Sequence, residues 1–187
     1  MIRSSSFVAA VSFVIVLAGC TKTTTQQGSS TTGSRHDNVA EIVNVTTRPE
    51  KAPNFTWKDS TGAQVAFDNY HGKLTLVNFW ATWCGPCKKE LPDLVELSSE
   101  LSSKGVRIIG ISTDRGSNVI EDVRSFVHEH GIPYQVLISN EELEEAFGNI
   151  NGLPTTFIVD ANGKILQSFL GMRTKEAFLQ ALHPYLD

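Results

Sequence analysis

The sequence predicts an α/β sandwich built on a mixed, mostly parallel sheet. Three observations lead to this fold class: apolar runs rich in β-formers alternate with segments of helical periodicity, glycine and proline mark the boundaries between them, and the composition is globular. Hydrophobic residues make up 41% of the 187 residues and charged residues 19%, which allows one buried core. The net charge of -4, without a basic run, gives no reason to expect a nucleic acid as a partner.

Residues 1–19 are predicted to be a lipoprotein signal peptide. Arg3 precedes the apolar stretch 7–18, which is shorter than the roughly 20 residues of a membrane-spanning helix. The stretch ends in Leu17-Ala18-Gly19-Cys20, which resembles the lipobox of bacterial lipoproteins, whose chains are cut before the cysteine and acylated on it. We therefore expect Cys20 to anchor the chain to the bacterial cell envelope on its extracytoplasmic, periplasmic side. An ordinary secretory leader is the alternative.

Residues 20–51 are predicted to be the lipidated cysteine and a flexible linker. Positions 21–38 contain no large apolar side chain, so this stretch buries too little surface to offset the entropy of ordering. A flexible chain of this length spans about 20 to 25 Å, which would keep a domain close to the membrane. Apolar periodicity appears from about Val39, and the folded domain is predicted to occupy residues 52–187.

Strands and helices are predicted in alternation along this domain. The stretch 55–67 reads as a short hairpin around a turn at 59–62, and the apolar strand at 74–81 is expected to be covered on both faces. The later elements are, in order, a helix with Leu91, Leu94, Val95 and Leu101 on one face, a strand at 106–112, a helix with Val119, Val123, Phe126 and Val127 on one face, a strand at 134–138, a short helix at 141–147, strands at 155–160 and 164–170 joined by a turn, and a last helix carrying Phe178, Ala181, Leu182 and Tyr185.

Two of the three cysteines lie in the motif Trp83-Cys84-Gly85-Pro86-Cys87, between the strand at 74–81 and the helix that follows. Cys84 is therefore predicted at the helix N-terminus, where unpaired amides and the helix dipole favour a thiolate. Pro86 is tolerated because amides of the first turn have no partner within the helix. We expect Cys84 to be the exposed, attacking sulfur and Cys87 to resolve the mixed disulfide, without an organic cofactor.

A structural zinc site and an inert disulfide are the alternatives for this pair. Zinc sites normally use four Cys or His ligands, and the sequence has neither a second cysteine pair nor a histidine with ligand-like spacing. A disulfide that closes so short a loop would constrain the unfolded chain very little. Redox exchange is therefore the preferred interpretation, and no metal is expected.

The strand, the cysteine motif, the helix and the later Gly152-Leu153-Pro154-Thr155-Thr156 together resemble the thioredoxin superfamily over residues 52–187. The resemblance implies a thioredoxin-like three-layer sandwich. It also implies a cis Pro154 beside the cysteine pair and a backbone at Leu153 that pairs with an extended substrate segment. The candidate substrate-binding residues are Trp83, Gly85, Pro86, Leu153 and Pro154, although packing is the simpler role for Trp80 and Trp83.

Three features resemble the membrane-anchored, extracytoplasmic branch typified by TlpA and ResA, and the related CcmG/DsbE proteins of cytochrome c maturation. They are the N-terminal β-hairpin extension that begins at Ala52, a central α/β insertion at about 106–138, and Glu90, three positions past Cys87. This spacing puts Glu90 on the helix face of Cys87, where a carboxylate would relay the proton of the resolving thiol; a solvated charge is the alternative. Asn78 stands where cytoplasmic thioredoxins carry a buried aspartate, so acid–base work falls to Glu90 or to water.

The sequence thus predicts a lipid-anchored thiol-disulfide oxidoreductase that reduces disulfides of client proteins, among them those of cytochrome c maturation. A membrane electron donor of the thiol-disulfide type would restore the reduced pair. The direction of electron flow stays open, because the motif favours a reducing potential in a compartment that is kept oxidising. Peroxide reduction is an alternative, although the related peroxidases carry PxxxTxxC and no proline precedes Cys84 at that spacing. A client-binding holdase is the other.

Overall fold

A computed structural model describes residues 37–186, so the predicted signal peptide and Cys20 lie outside the described residues. No helix within 37–186 is both long enough and apolar enough to span a bilayer. The elements are, in chain order, β1 (Val39–Arg48), β2 (Lys51–Lys58), β3 (Gln64–Ala66), α1 (Phe67–Tyr70), β4 (Leu74–Trp80), α2 (Gly85–Leu101), β5 (Val106–Ser112), α3 (Val119–Glu129), β6 (Gln135–Ile138), α4 (Glu141–Ala146), β7 (Thr155–Asp160), β8 (Ile165–Leu170) and α5 (Lys175–Leu182).

The strands of this range form one mixed sheet in the order β3-β2-β1-β6-β5-β4-β7-β8. The central pairings of β1 with β6, β6 with β5 and β5 with β4 are parallel, and the pairings on either side of them are antiparallel. The predicted mixed sheet, with its N-terminal hairpin of β2 and β3, is confirmed. The prediction that this sheet is mostly parallel is wrong, because four of the seven strand pairings in 37–186 are antiparallel, among them the pairing of β1 with β2, which the sequence did not indicate.

The first strand, β1, lies within residues that the sequence assigns to the flexible linker. Its beginning pairs with β6, and the rest pairs with β2. Val39 and Val45 are buried in the core, whereas most of the strand is partly or fully exposed. The described sheet therefore begins at Val39, earlier than the predicted domain start at Ala52. Apolar periodicity begins at about Val39, but the local sequence does not indicate the pairing with β6, because that partner lies far along the chain.

Helices cover both faces of the sheet and produce three layers. The buried residues of α2, α3 and α5 pack in one core cluster, and those of α1 and α4 pack in the other. All seven residues of β4 are buried, as predicted for a strand covered on both faces. Because side chains alternate along a strand, Leu76 and Trp80 join the first cluster, and Val77 and Phe79 join the second.

Gly110, in the central strand β5, leaves the space that the indole of Trp80 occupies. A Cβ atom built on Gly110 would lie 2.9 Å from Nε1 of Trp80 and 3.3 Å from Cε2 of Tyr134. We expect Gly110→Ala to lower the free energy of unfolding by about 1 to 3 kcal/mol, since the overpacked ring or strand must shift. Urea unfolding followed by tryptophan fluorescence measures this change. Gly85→Ala, whose Cβ would meet nothing within 4 Å, is the control, and equal midpoints for the two variants would contradict the prediction.

Candidate active site

Cys84 and Cys87 are joined by a disulfide at the beginning of α2, with their Cα atoms 5.3 Å apart. Cys84 is the N-cap residue, and its Sγ accepts a hydrogen bond from the backbone amide of Cys87 at 3.2 Å. After reduction, the same amide and the positive end of this 17-residue helix would stabilise a thiolate on Cys84. Both cysteines therefore lie at the helix start, where the sequence predicts them.

The exposure of Cys84 is lower than predicted. Only 4% of Cys84 and 5% of Cys87 are exposed, because both side chains belong to the core cluster beneath α2. The prediction of an exposed first cysteine is therefore wrong for this oxidised form. Cys84 instead lines a cleft of about 710 Å³, through which a substrate would reach the sulfur. The cleft is also lined by four of the candidate substrate-binding residues, which are Trp83, Gly85, Pro86 and Leu153.

The two tryptophans that precede the disulfide differ in environment. Trp80 is 4% exposed, and its ring centroid lies 5.2 Å from that of Phe126. Trp83 is 69% exposed at the edge of the cleft. Packing is thus the role of Trp80, as expected, but not of Trp83, which lies in the loop between β4 and α2. The Trp83 ring is accessible to a protein that docks over Cys84.

The peptide bond between Leu153 and Pro154 is cis, as the thioredoxin resemblance implies. Pro154 is buried ahead of β7, and its carbonyl accepts a hydrogen bond from the amide of Gly171 at 2.8 Å. Leu153 packs against both core clusters and lines the cleft together with Cys84. The fold therefore brings together the cysteine motif and the proline motif, which lie far apart in the chain.

Glu90 is buried, with 1% of its surface exposed, so the alternative of a solvated charge is wrong. Nδ2 of Asn78 donates to Oε1 of Glu90 at 3.0 Å, and the amide of Arg173 donates to Oε2 at 2.7 Å. Burial raises the pKa of Glu90 from 4.5 to about 7, and these two hydrogen bonds oppose the rise without cancelling it. Near neutral pH this carboxyl group is therefore present in both its protonated and its charged form, one helical turn from Cys87.

Asn78 orients Glu90 from the neighbouring strand. It lies on β4, is 3% exposed, and its Nδ2 also donates to Oγ1 of Thr156 at 2.9 Å. An amide cannot take up a proton at this position. Among Asn78, Thr156 and Glu90, only Glu90 therefore titrates in the range where thiols exchange.

Asp114 is a buried residue near the cysteines that the sequence does not single out. Its carboxylate accepts hydrogen bonds from the amide of Thr82 at 2.9 Å and from the hydroxyl of Thr82 at 2.6 Å. One sequence signal was available, because Asp114 lies two residues past the end of the predicted strand 106–112. The carboxyl ends of neighbouring parallel strands meet at one edge of a sheet, where α/β proteins carry their sites.

Within 37–186, no group of three or more His, Cys, Asp or Glu side chains is arranged to hold a metal ion.

Comparison with known proteins adds the family context. The AhpC/TSA family model matches residues 49–168. The thiol-disulfide oxidoreductase ResA of Bacillus thuringiensis (strain Al Hakam) is 35% identical over 127 residues, which cover 68% of this chain and 72% of that protein.

Solved structures show the same likeness. A thiol:disulfide interchange protein of the thioredoxin family from Chlorobium tepidum matches with a TM-score of 0.65 and 33% identity, over 75% of this chain and 98% of its own. The exposed lipoprotein thioredoxin Etrx1 of Streptococcus pneumoniae strain TIGR4 matches with a TM-score of 0.59 and 25% identity, over 70% of this chain and 98% of its own.

Proposed function

We propose that this chain, which belongs to the AhpC/TSA family and is a thiol-disulfide oxidoreductase with a thioredoxin-like fold, reduces disulfides of client proteins outside the cytoplasm. One observation carries the proposal: Cys84 caps the N-terminus of α2 and lines the same cleft as Leu153, next to the cis Pro154. A helix start supplies a reactive thiolate, and the cleft gives a client disulfide a place to meet it.

The reaction begins from the reduced pair. The Cys84 thiolate attacks one sulfur of the client disulfide, a mixed disulfide forms, and the other client sulfur leaves as a thiolate that takes up a proton. Cys87 then loses its proton and attacks Sγ of Cys84, which breaks the mixed disulfide and releases the second client thiol. Two electrons pass to the client, and Cys84 and Cys87 end as the disulfide that the structure contains.

Glu90 takes the proton of Cys87 in this scheme. The carboxyl group is on the same helix as Cys87, is buried, and has a pKa raised to about 7 by that burial. A base whose pKa lies near the working pH accepts a proton and returns it with little loss of driving force. The proposal therefore assigns Cys84 as nucleophile, Cys87 as resolving thiol and Glu90 as proton relay.

Client binding is assigned to the cleft beside Cys84. The exposed ring of Trp83 lines it, together with Gly85, Pro86 and Leu153. An extended client segment would pair with the backbone at Leu153, before the cis Pro154, so that its disulfide faces Cys84. Recognition through the backbone suits a set of different proteins, which would include apocytochrome c during its maturation.

The cellular location is part of the same proposal. The sequence Leu17-Ala18-Gly19-Cys20 supports a lipid anchor on Cys20, and the likeness to an exposed lipoprotein thioredoxin agrees with it. A donor in the membrane would return electrons to the oxidised pair, because the compartment itself is kept oxidising. An acyl anchor needs two or more chains for stable attachment, as lipoprotein processing supplies.

The reduction potential of the cysteine pair tests the direction of electron flow. The protein is equilibrated with glutathione buffers, and the reduced fraction is read by alkylation of free thiols. We expect a potential close to the value of about -270 mV for thioredoxin, whereas one close to about -120 mV, as for DsbA, would mean that the protein oxidises its clients.

Peroxide consumption with a thiol donor is measured in parallel, and turnover of peroxide in place of disulfides would favour the peroxidase alternative.

A further inference from the structure

We propose that Asp114 is a positioning residue for Cys84, because its buried carboxylate fastens the loop that carries the nucleophile. The inference rests on the disulfide exchange proposed above and adds a residue to it. Asp114 does not touch the sulfur in this arrangement. It acts through Thr82, two residues before Cys84, and from the loop that follows β5 rather than from the helix that carries the cysteines.

Strand pairing brings the two loops together. β4 and β5 are parallel neighbours, with Trp80 opposite Ser112 at their carboxyl ends. The chain that leaves β4 toward Cys84 therefore runs beside the chain that leaves β5. The amide of Thr113 donates to the carbonyl of Trp80 at 2.8 Å, which is the first contact between the two loops.

Asp114 makes the second and stronger contact. Its side chain accepts from the amide of Thr82 at 2.9 Å, from the hydroxyl of Thr82 at 2.6 Å and from the hydroxyl of Ser112 at 2.7 Å. Only 8% of Asp114 is exposed, and a buried carboxylate needs such donors to offset the loss of water. The side chain of the next residue, Arg115, donates to the main-chain carbonyl of Asp114 and pairs with Glu144.

The hydrogen bonds between Asp114 and Thr82 act as a clamp, and this clamp determines how the chain enters α2. The segment from Trp80 to Cys84 is held at the carbonyl of Trp80, at both donors of Thr82, and at the amide of Cys84, which donates to the carbonyl of Ala81 at 3.1 Å. These bonds place Sγ of Cys84 against the amide of Cys87. Without the clamp, the sulfur is free to move away from the amides that favour its thiolate.

A positioning role and a direct effect of charge predict opposite shifts in the pKa of Cys84 when Asp114 is replaced. Loss of the negative charge of Asp114 would favour the Cys84 thiolate and lower its pKa, if charge were what mattered. Loss of the clamp would raise the pKa of Cys84, because the thiolate loses its amide donor. Thr82→Val adds an independent test, since it removes one hydrogen bond and leaves the charge in place.

The experiment compares Asp114→Asn, Thr82→Val and the conservative Thr82→Ser in the full chain, with insulin as the disulfide substrate. The pKa of Cys84 is measured from the pH dependence of its alkylation in the reduced protein. Asp59→Asn is the matched control, because Asp59 also accepts from the amide and the hydroxyl of a threonine, Thr61, but in the turn between β2 and β3.

We expect Asp114→Asn and Thr82→Val to raise the pKa of Cys84 and to lower kcat by roughly tenfold, with KM nearly unchanged, since each loses a hydrogen bond to a charged group. Thr82→Ser and Asp59→Asn should have the same Cys84 pKa and the same kcat as the unmodified chain. The kcat of the double variant Asp114→Asn/Thr82→Val should be only a little lower than that of either single variant, because both changes affect the same contact.

Two results would overturn the inference. One is an unchanged pKa and kcat in both clamp variants, and the other is a lower pKa in Asp114→Asn with no effect of Thr82→Val. If Asp114→Asn does not fold, Thr82→Val decides the question alone. The unmodified chain separates this inference from the proposed function: if it reduces insulin and the variants match it, only the role of Asp114 fails.

Discussion

Replacing Cys84 with serine is expected to abolish disulfide exchange. The fall should be about 10³-fold or more, as for other losses of a catalytic nucleophile, because a serine hydroxyl is not ionised near neutral pH even beneath a helix start. Reduction of insulin disulfides by the prereduced protein, followed by turbidity, measures it. A variant that keeps the activity of the unmodified chain would remove the central assignment of this site.

Replacing Cys87 with serine is expected to give a different result. Cys84 keeps its place at the N-cap and along the cleft, so attack on the client proceeds, but no thiol remains to resolve the mixed disulfide. The variant should accumulate covalent complexes with clients, visible on non-reducing gels and dissolved by a reductant. The double variant Cys84→Ser/Cys87→Ser is the control and should trap nothing. If Cys84→Ser were the variant that traps clients, the two sulfurs would have exchanged roles.

Because Cys84 is nearly buried, the different results expected for the two cysteine variants are needed to show which sulfur attacks the client. Both sulfurs are nearly buried, so exposure alone does not choose between them. The cleft does, because Cys84 lines it. In the proposed reaction, a client brings its disulfide into this cleft, which Trp83 and Leu153 also line, before exchange begins.

The cysteine pair and the strand before it were predictable because their signals are local. A nearly continuous apolar run at 74–80 meets a proline-containing turn and a helical pattern, and the N-terminal position of Cys84 follows from that order alone. The cis Pro154 was accessible only through resemblance to a known superfamily. No local rule distinguishes it from an ordinary trans proline at the start of a strand.

The burial of Glu90 was partly visible in the sequence. The local context, with Lys88 and Lys89 before it, looks solvated, but Glu90 precedes Leu94 and Leu97 by four and seven positions, the spacing of one helix face. That face is the buried one, since Leu94 and Leu97 are both 1% exposed. Helical spacing, on which the assignment of Glu90 to the face of Cys87 rests, was therefore a better guide than the charges of its neighbours.

The contact between Asp114 and Thr82 was not predictable from a local helical pattern. It depends on β4 and β5 being parallel neighbours in register, a pairing between strands that are separated by the whole of α2. The same limit applies to β1, whose place is set by β6. Contacts that depend on the order of strands in a sheet leave almost no trace in local composition.

Replacing Glu90 with glutamine is expected to change the pH dependence of stability. Burial raises the pKa of Glu90 from 4.5 to about 7, so between these pH values the folded protein holds a proton that the unfolded chain has lost. The contribution of Glu90 to the stability of the oxidised protein is therefore fully present below pH 4.5 and is lost as the pH rises to about 7. At 1.36 kcal/mol for each unit of pKa, the fall is about 3 kcal/mol.

Glutamine resembles the protonated acid and does not titrate. The free energy of unfolding of Glu90→Gln should therefore lack the fall between pH 4.5 and 7 that Glu90 causes. Urea unfolding of the oxidised protein at a series of pH values measures it, with Glu129→Gln, an exposed glutamate on α3, as the control. Curves for Glu90→Gln and the unmodified chain that run parallel between pH 4.5 and 7 would show that Glu90 titrates at its ordinary pKa. The hydrogen bonds from Asn78 and Arg173 would then outweigh burial.

The same substitution separates a structural role of Glu90 from proton transfer. If Glu90 takes the proton of Cys87, release of the client from the mixed disulfide should slow by about a hundredfold in Glu90→Gln, the lower end of what a positioned acid–base group contributes. The first step, attack by Cys84, should keep its rate, because the N-cap contact between Cys84 and Cys87 does not involve Glu90. Quenched-flow measurement of the mixed disulfide resolves the two steps. Equal slowing of both steps would instead mean that the buried carboxyl only holds α2 in place.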